Sequence, residues 1–177
     1  MAWSTPPQAE PNSLFTASYL NTYLRDNLLE TMPAKAIDEG SYFGTDGFNQ
    51  IQVSGYATAV ATGSQSTTSE TYTTLSGGPS LTMESNHRSF VVLSAEVVGS
   101  TANTVCYFGY DIDGATSNPP HDDNTLISKG TAARQFSIII PHTTLVLPGT
   151  NTFSARYRID GGGSATFANR RITVFTI

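Results

Sequence analysis

The sequence predicts an all-β fold: an antiparallel β-sandwich preceded by one short N-terminal α-helix. Three observations lead there. From Gln50 onward apolar residues recur with the period of two that belongs to strands. Turn signals break that pattern at Gly77-Gly78-Pro79, Ser85-Asn86, Gly99-Ser100, Asp113-Gly114, Pro148-Gly149 and Asp160-Gly161-Gly162-Gly163. Only one stretch, Ala17 to about Glu30, carries a helical period.

Taken in order, residues 1–15 are polar and Pro-rich, with Pro6, Pro7 and Pro11, and read as an extended arm ordered by a partner. Thr16 is placed to cap the helix. Leu20, Leu24 and Leu28 then recur every four residues with Tyr23 beside them, while Arg25, Asp26 and Glu30 fall on other faces, and Pro33 ends the run. About fourteen residues of helix are marginal alone in water. The apolar stripe therefore packs on something: its own β-domain, sister copies or a neighbouring protein. Residues 1–32 form the arm and attachment helix, 33–48 a linker with Phe43 and Phe48, and 49–177 the sandwich.

The candidate strands are 50–53, 56–62, 69–75, 80–84, 89–98, 104–113, 125–128, 134–140, 152–160, 164–168 and 171–177. Many short strands at this spacing, with no second helix, point to a sandwich or jelly roll. Phe153, Ala155, Tyr157 and Ile159 share one strand face; Ser154, Arg156 and Arg158 share the other. Phe90-Val91-Val92-Leu93 and Ile138-Ile139-Ile140 are apolar on both faces. One face of each meets the core, and the other meets a second layer or another subunit.

Composition narrows the function. Charged residues are only 13% of the chain and the net charge is −5. Arg170-Arg171 is the longest basic run, whereas phosphate backbones need clustered cations, so nucleic acid is not an expected partner. No stretch approaches the ~20 apolar residues of a membrane span, and the N-terminus lacks the features of a signal peptide. Cys106 is the lone cysteine, set in an apolar run, and reads as a buried, inert thiol in a chain that folds in a reducing cytosol.

Chemistry is expected to be absent. His87, His121 and His142 lie at no metal-ligand spacing and read as loop histidines. Asp111-Ile112-Asp113-Gly114 opens like a calcium loop, but its twelfth position is Asp122 rather than Glu and helices do not flank it. Solvated carboxylates are the plain reading, with a surface cation as the sharper one. Gly161-Gly162-Gly163 lacks the following helix and Lys of a phosphate loop, and no nucleophile elbow occurs. No catalytic, cofactor or metal residues are assigned. Tyr56, Tyr72, Tyr107 and Tyr110 are candidates for sugar contacts, although alternate strand positions usually mean core.

The segment Thr16-Ala17-Ser18-Tyr19-Leu20-Asn21-Thr22-Tyr23-Leu24-Arg25-Asp26-Asn27-Leu28, with Trp3 upstream across a long insertion, resembles the opening of phage minor tail and minor structural proteins. Their helix reads Thr-Ala-x-x-Leu-Asn-x-x-x-Arg-Asp-Asn-Leu. More loosely, Leu75–Ser80, Val146–Phe153, Tyr157-Arg158 and Ala168–Val174 resemble trimeric jelly rolls of fibre and tumour-necrosis-factor-like type.

These resemblances imply a non-enzymatic virion component assembled in the host cytoplasm: a minor tail, baseplate or fibre protein. They imply docking on other virion proteins through Trp3, Tyr19, Leu20, Asn21, Tyr23, Leu24, Arg25, Asp26, Asn27 and Leu28, and self-association as a homotrimer. A head fibre or capsid decoration protein is the alternative address. A receptor- or glycan-binding module at the particle surface is the alternative role.

Overall fold

In the computed structural model the described residues are 16–22, 42–45, 51–85, 88–142 and 146–176. The chain divides into two compact units, Met1–Gly55 and Tyr56–Ile177.

In the first unit, helix α1 spans Ala17–Leu20. Thr16 caps it as the sequence indicates: its backbone is extended and its side-chain oxygen accepts from the Tyr19 N–H at 3.1 Å. Asn21 keeps helical angles and donates its N–H to the carbonyls of Ala17 and Ser18. The expected continuation to Glu30 lies outside the described residues. Strands β1 (Tyr42–Thr45) and β2 (Ile51–Ser54) pair antiparallel, with Tyr42 opposite Ser54. β1 thus occupies a stretch whose sequence reads as linker. Tyr-Phe and Ile-x-Val are strand formers, but Gly40, Gly44 and Gly47 obscure the alternation.

The second unit is an antiparallel sandwich of β3 (Tyr56–Ala61), β4 (Gln65–Thr67), β5 (Ser80–Ser85), β6 (Ser89–Gly99), β7 (Val105–Gly114), β8 (Leu126–Lys129), β9 (Arg134–His142), β10 (Gly149–Asp160) and β11 (Ala165–Thr176). One sheet has the order β3-β11-β6-β9, with β4 also on β11; the other has the order β5-β10-β7-β8. Outer pairs join strands from opposite ends of the chain: β3 with β11, β5 with β10, β6 with β9 and β7 with β8. That is a long hairpin. Rolling it up adds the pairs β6–β11 and β7–β10 and yields a jelly roll.

Three expected strands differ. Residues 69–75 form no continuous ladder with β10: Thr73 bridges Tyr157, and the Ser69 carbonyl accepts from the Ile159 N–H at 2.8 Å. Hydroxyls there compete for the backbone: Ser69 Oγ donates to the Thr71 carbonyl at 2.7 Å, and the Ser69 N–H donates to Thr67 Oγ1 at 3.0 Å. The strands expected at 164–168 and 171–177 are one strand, β11, interrupted by a bulge. Ala168 faces Glu96 and Arg171 faces Ser94, so β11 carries one extra residue there. Asn169 takes the strain with φ +50°. The bulge swaps the inward parity: Ala165 and Phe167 are buried before it, and Arg170, Ile172 and Val174 after it.

Between the sheets, alternate residues of the long strands form the core, among them Val91, Leu93, Phe108, Phe153, Ile159 and Ile172. The inward face read for β10, Phe153-Ala155-Tyr157-Ile159, is buried along its length. Phe108 and Tyr157 stack at 5.1 Å with 4° between planes, and Phe167 of the opposite sheet meets Tyr157 at 5.0 Å. These rings couple the layers. Cys106 is free and fully buried, which pushes its thiol up to about 11. Gly161, Gly162 and Gly163 all have positive φ and make the tight β10–β11 turn, a run that L side chains do not adopt.

At the other end of the sandwich Asn151, fully buried, ties three connections together. Its Oδ1 accepts from the Thr116 N–H at 2.7 Å. Its Nδ2 donates to Ser85 Oγ at 2.7 Å and to the carbonyls of Leu147 and Gly149, both at 3.1 Å. Thr116 Oγ1 in turn accepts from the Leu147 N–H at 2.7 Å. Asn151→Ala leaves a buried N–H and hydroxyl unpaired. It should lower unfolding free energy by about 2–4 kcal/mol in urea titration, and Thr116→Val should cost about half as much.

Candidate functional site

The two sheets present very different outer faces. On the β5-β10-β7-β8 sheet, hydroxyls pair across strands: Ser80 with Ser154 at 2.8 Å and Thr82 with Thr152 at 2.8 Å, while Thr150 donates to Glu84. Arg156 grips Asp111 Oδ2 through Nε at 2.8 Å and Nη2 at 2.5 Å. Arg158 grips Asp122 through Nε to Oδ1 at 3.1 Å and Nη2 to Oδ2 at 2.5 Å. The Arg158 guanidinium lies 3.7 Å from the centre of the Tyr107 ring and 5.5 Å from that of Tyr72. Tyr72 donates its hydroxyl to Asp122 Oδ1 at 2.9 Å.

Hydrogen bonding to Arg158 holds the Asp122 carboxyl below its usual range. Burial pushes the Tyr72 phenol up to about 12. Both arginines of this face are matched to carboxylates within the chain.

The carboxylates in the calcium-loop-like stretch have partners. Asp111 serves Arg156, Asp122 serves Arg158 and Tyr72, and Asp113 accepts from the Gly114 N–H at 3.0 Å. His121 caps the short turn Asp122–Asn124, its Nδ1 accepting from the Asp123 N–H at 3.3 Å. Beside Asp111 and Arg156 a cleft of about 400 Å³ opens under Asn118, Pro119 and Pro120.

On the β3-β11-β6-β9 sheet the outer face is dry at one end. Register places Tyr56, Phe175 and Phe90 in one cross-strand row, and Thr58, Thr173, Val92 and Ile139 in the next. Tyr56 stacks on Phe175 at 5.6 Å. Ile139 is 65% exposed, Tyr56 53% and Phe90 38%, so large apolar side chains from β9, β3 and β6 face solvent together, with half-buried Phe175 of β11 between them. Their inward neighbours Val91, Leu93 and Ile140 are core residues. The expectation of two apolar faces on these strands is met here.

Of the helix residues expected to bind a partner, Tyr19, Leu20 and Asn21 are described. Nothing in Ala17–Leu20 is buried, and Leu20 is 42% exposed. Trp3, Tyr23, Leu24, Arg25, Asp26, Asn27 and Leu28 lie outside the described residues. Of the four tyrosines considered for sugar contacts, Tyr110 is core, Tyr72 and Tyr107 flank Arg158, and Tyr56 belongs to the dry face. The Arg–Asp pairs and the bonds of Asn151 to Thr116 and Ser85 carry no local sequence signal, because these partners are 35 to 66 residues apart.

No family model matches the chain, and no curated protein matches it. Among solved structures it is similar to a chain of infectious bursal disease virus, Gx strain, at 13% identity and TM-score 0.44, over 76% of this chain and 36% of that one. A chain of the Gt strain of the same virus matches at 13% identity and TM-score 0.43, over 82% of this chain and 42% of that one. This chain thus spans less than half the length of the structures it matches.

Proposed function

We propose that this protein is a non-enzymatic structural component of a bacteriophage virion, a minor tail or baseplate/fibre subunit. It docks on other virion proteins through its N-terminal arm and helix and displays the jelly roll as a homotrimer. The observation that carries self-association is the contrast between the two outer faces. One carries hydroxyl pairs and paired ions with Ile127 as its exposed apolar side chain, and the other leaves Tyr56, Phe90 and Ile139 together in water. Sister copies are the natural cover, since most soluble oligomers are homo-oligomers closed by symmetry. The docking role draws on the resemblance of residues 16–28 to phage minor structural proteins and on the exposed, capped start of that helix. Three tethered helices would bind by avidity without a strong single contact.

A second role, recognition of a host-surface glycan, draws on the cleft beside Asp111 and Arg156. Glycan-array binding that disappears in Arg156→Ala would establish it.

Two predictions separate the parts of this proposal. Sedimentation of the full chain should give a trimer. Ile139→Asp should dissociate it into folded single chains, because that side chain is mostly exposed in the single chain. Losing about 2 kcal/mol at each contact weakens every one of the trimer's contacts roughly thirtyfold. A monomeric parent chain, or an Ile139→Asp trimer of full strength, removes the claim. Leu24→Asp should leave the trimer and its melting temperature intact while cutting incorporation into particles at least tenfold, scored by immunoblot of purified virions.

A further inference from the structure

We propose that the sandwich interior holds a small monovalent anion of the halide class, seated between the Arg170 guanidinium and the Tyr157 hydroxyl.

The β11 bulge aims Arg170 between the sheets, where it is 2% exposed. A guanidinium stays charged at every relevant pH. Yet among the described residues no carboxylate reaches it. Glu96, across from the bulge, bonds the Asn169 side chain instead at 3.4 Å. Arg170 makes one hydrogen bond, from Nη2 to the Gly63 carbonyl at 3.3 Å. Its Nε and Nη1 are buried without a well-aligned hydrogen bond among the described residues, and so is the Tyr157 hydroxyl, which lies near enough to Arg170 to feel a direct interaction but in poor geometry for it. Tyr157 is itself fully buried, with its ring centre 5.7 Å from the Arg170 carbon.

An isolated buried cation is among the costliest things a protein interior can hold. The Tyr157 ring offsets part of the charge, but it offers no acceptor to the N–H groups. A water would satisfy hydrogen bonds and leave the charge uncompensated. A monovalent anion does both, taking N–H bonds from Nε and Nη1 and an O–H bond from the phenol. Burial pushes that phenol up to about 12 against the opposing pull of Arg170, so it remains a donor at neutral pH. The ligand is small because the surrounding layer is the packed core of Phe108, Tyr157 and Phe167.

The test uses the full chain. At constant ionic strength, replacing gluconate by chloride should raise the melting temperature by about 3 °C. Arg170→Met keeps the stem and removes the charge, and it should abolish the chloride effect. Tyr157→Phe should reduce it. In crystals of the unmodified chain soaked in bromide, an anomalous peak should stand within hydrogen-bonding distance of Arg170 and the Tyr157 hydroxyl. A bromide map with water or nothing at that position overturns the proposal, whether or not the variants fold. So does a chloride effect that Arg170→Met leaves intact.

Discussion

The sandwich rests on two central pairings, β6 with β11 and β7 with β10. Each of these four strands is flanked on both sides, and each pairing runs about ten residues in antiparallel register. They join parts of the chain far apart in sequence, so closing them carries the main entropic cost of this topology. What offsets that cost is the alternation it sets up. Inward residues of β6, β7, β10 and β11 make nearly the whole core, and Phe108, Tyr157 and Phe167 link the layers through ring contacts. The edge strands β4, β5 and β8 add length and cover rather than a separate core.

Because the inward faces are fixed by those pairings, the outer faces are what the sequence was free to vary, and they diverge. One sheet places Ser and Thr opposite each other and matches Arg156 and Arg158 to Asp111 and Asp122. Ion pairs this close to solvent add modestly to stability; here they leave Ile127 as the large apolar side chain exposed on that face. The other sheet spends its outward positions on Tyr56, Phe175, Phe90 and Ile139. Low overall charge sharpens the contrast, since few like charges oppose association through that surface.

Much of this was legible in the sequence. Period-two runs bounded by Gly, Pro and Asn located most strands, the two-sided apolar runs at Phe90–Leu93 and Ile138–Ile140 marked the dry face, and Thr16 gave its cap away by type and place. The failures have physical causes. Strand β1 was hidden by glycines. Residues 69–75 alternate like a strand, but their hydroxyls satisfy local backbone instead of a ladder. The β11 bulge could have been found, because apolar residues shift from odd at Phe167 to even at Ile172 and Val174. The Arg–Asp matches could not, as nothing local tells Arg158 from any other outward arginine.

The same bulge explains how so uncharged a protein can specify one register. Hydroxyl-rich strands of similar length tolerate slippage, because Thr and Ser fit on either face. Buried polar groups do not. Sliding β10 by two residues would pull Asn151 from Thr116, Ser85 and the Leu147 carbonyl, leaving several buried groups unpaired. Sliding β11 would carry Arg170 away from Gly63 and Tyr157 and into the aliphatic core around Ile172. Each alternative register meets a penalty that the native one avoids. The polar interior thus selects among arrangements whose apolar burial would be nearly equal, and the choice it makes also decides which side chains are left facing outward on β3, β6, β9 and β11.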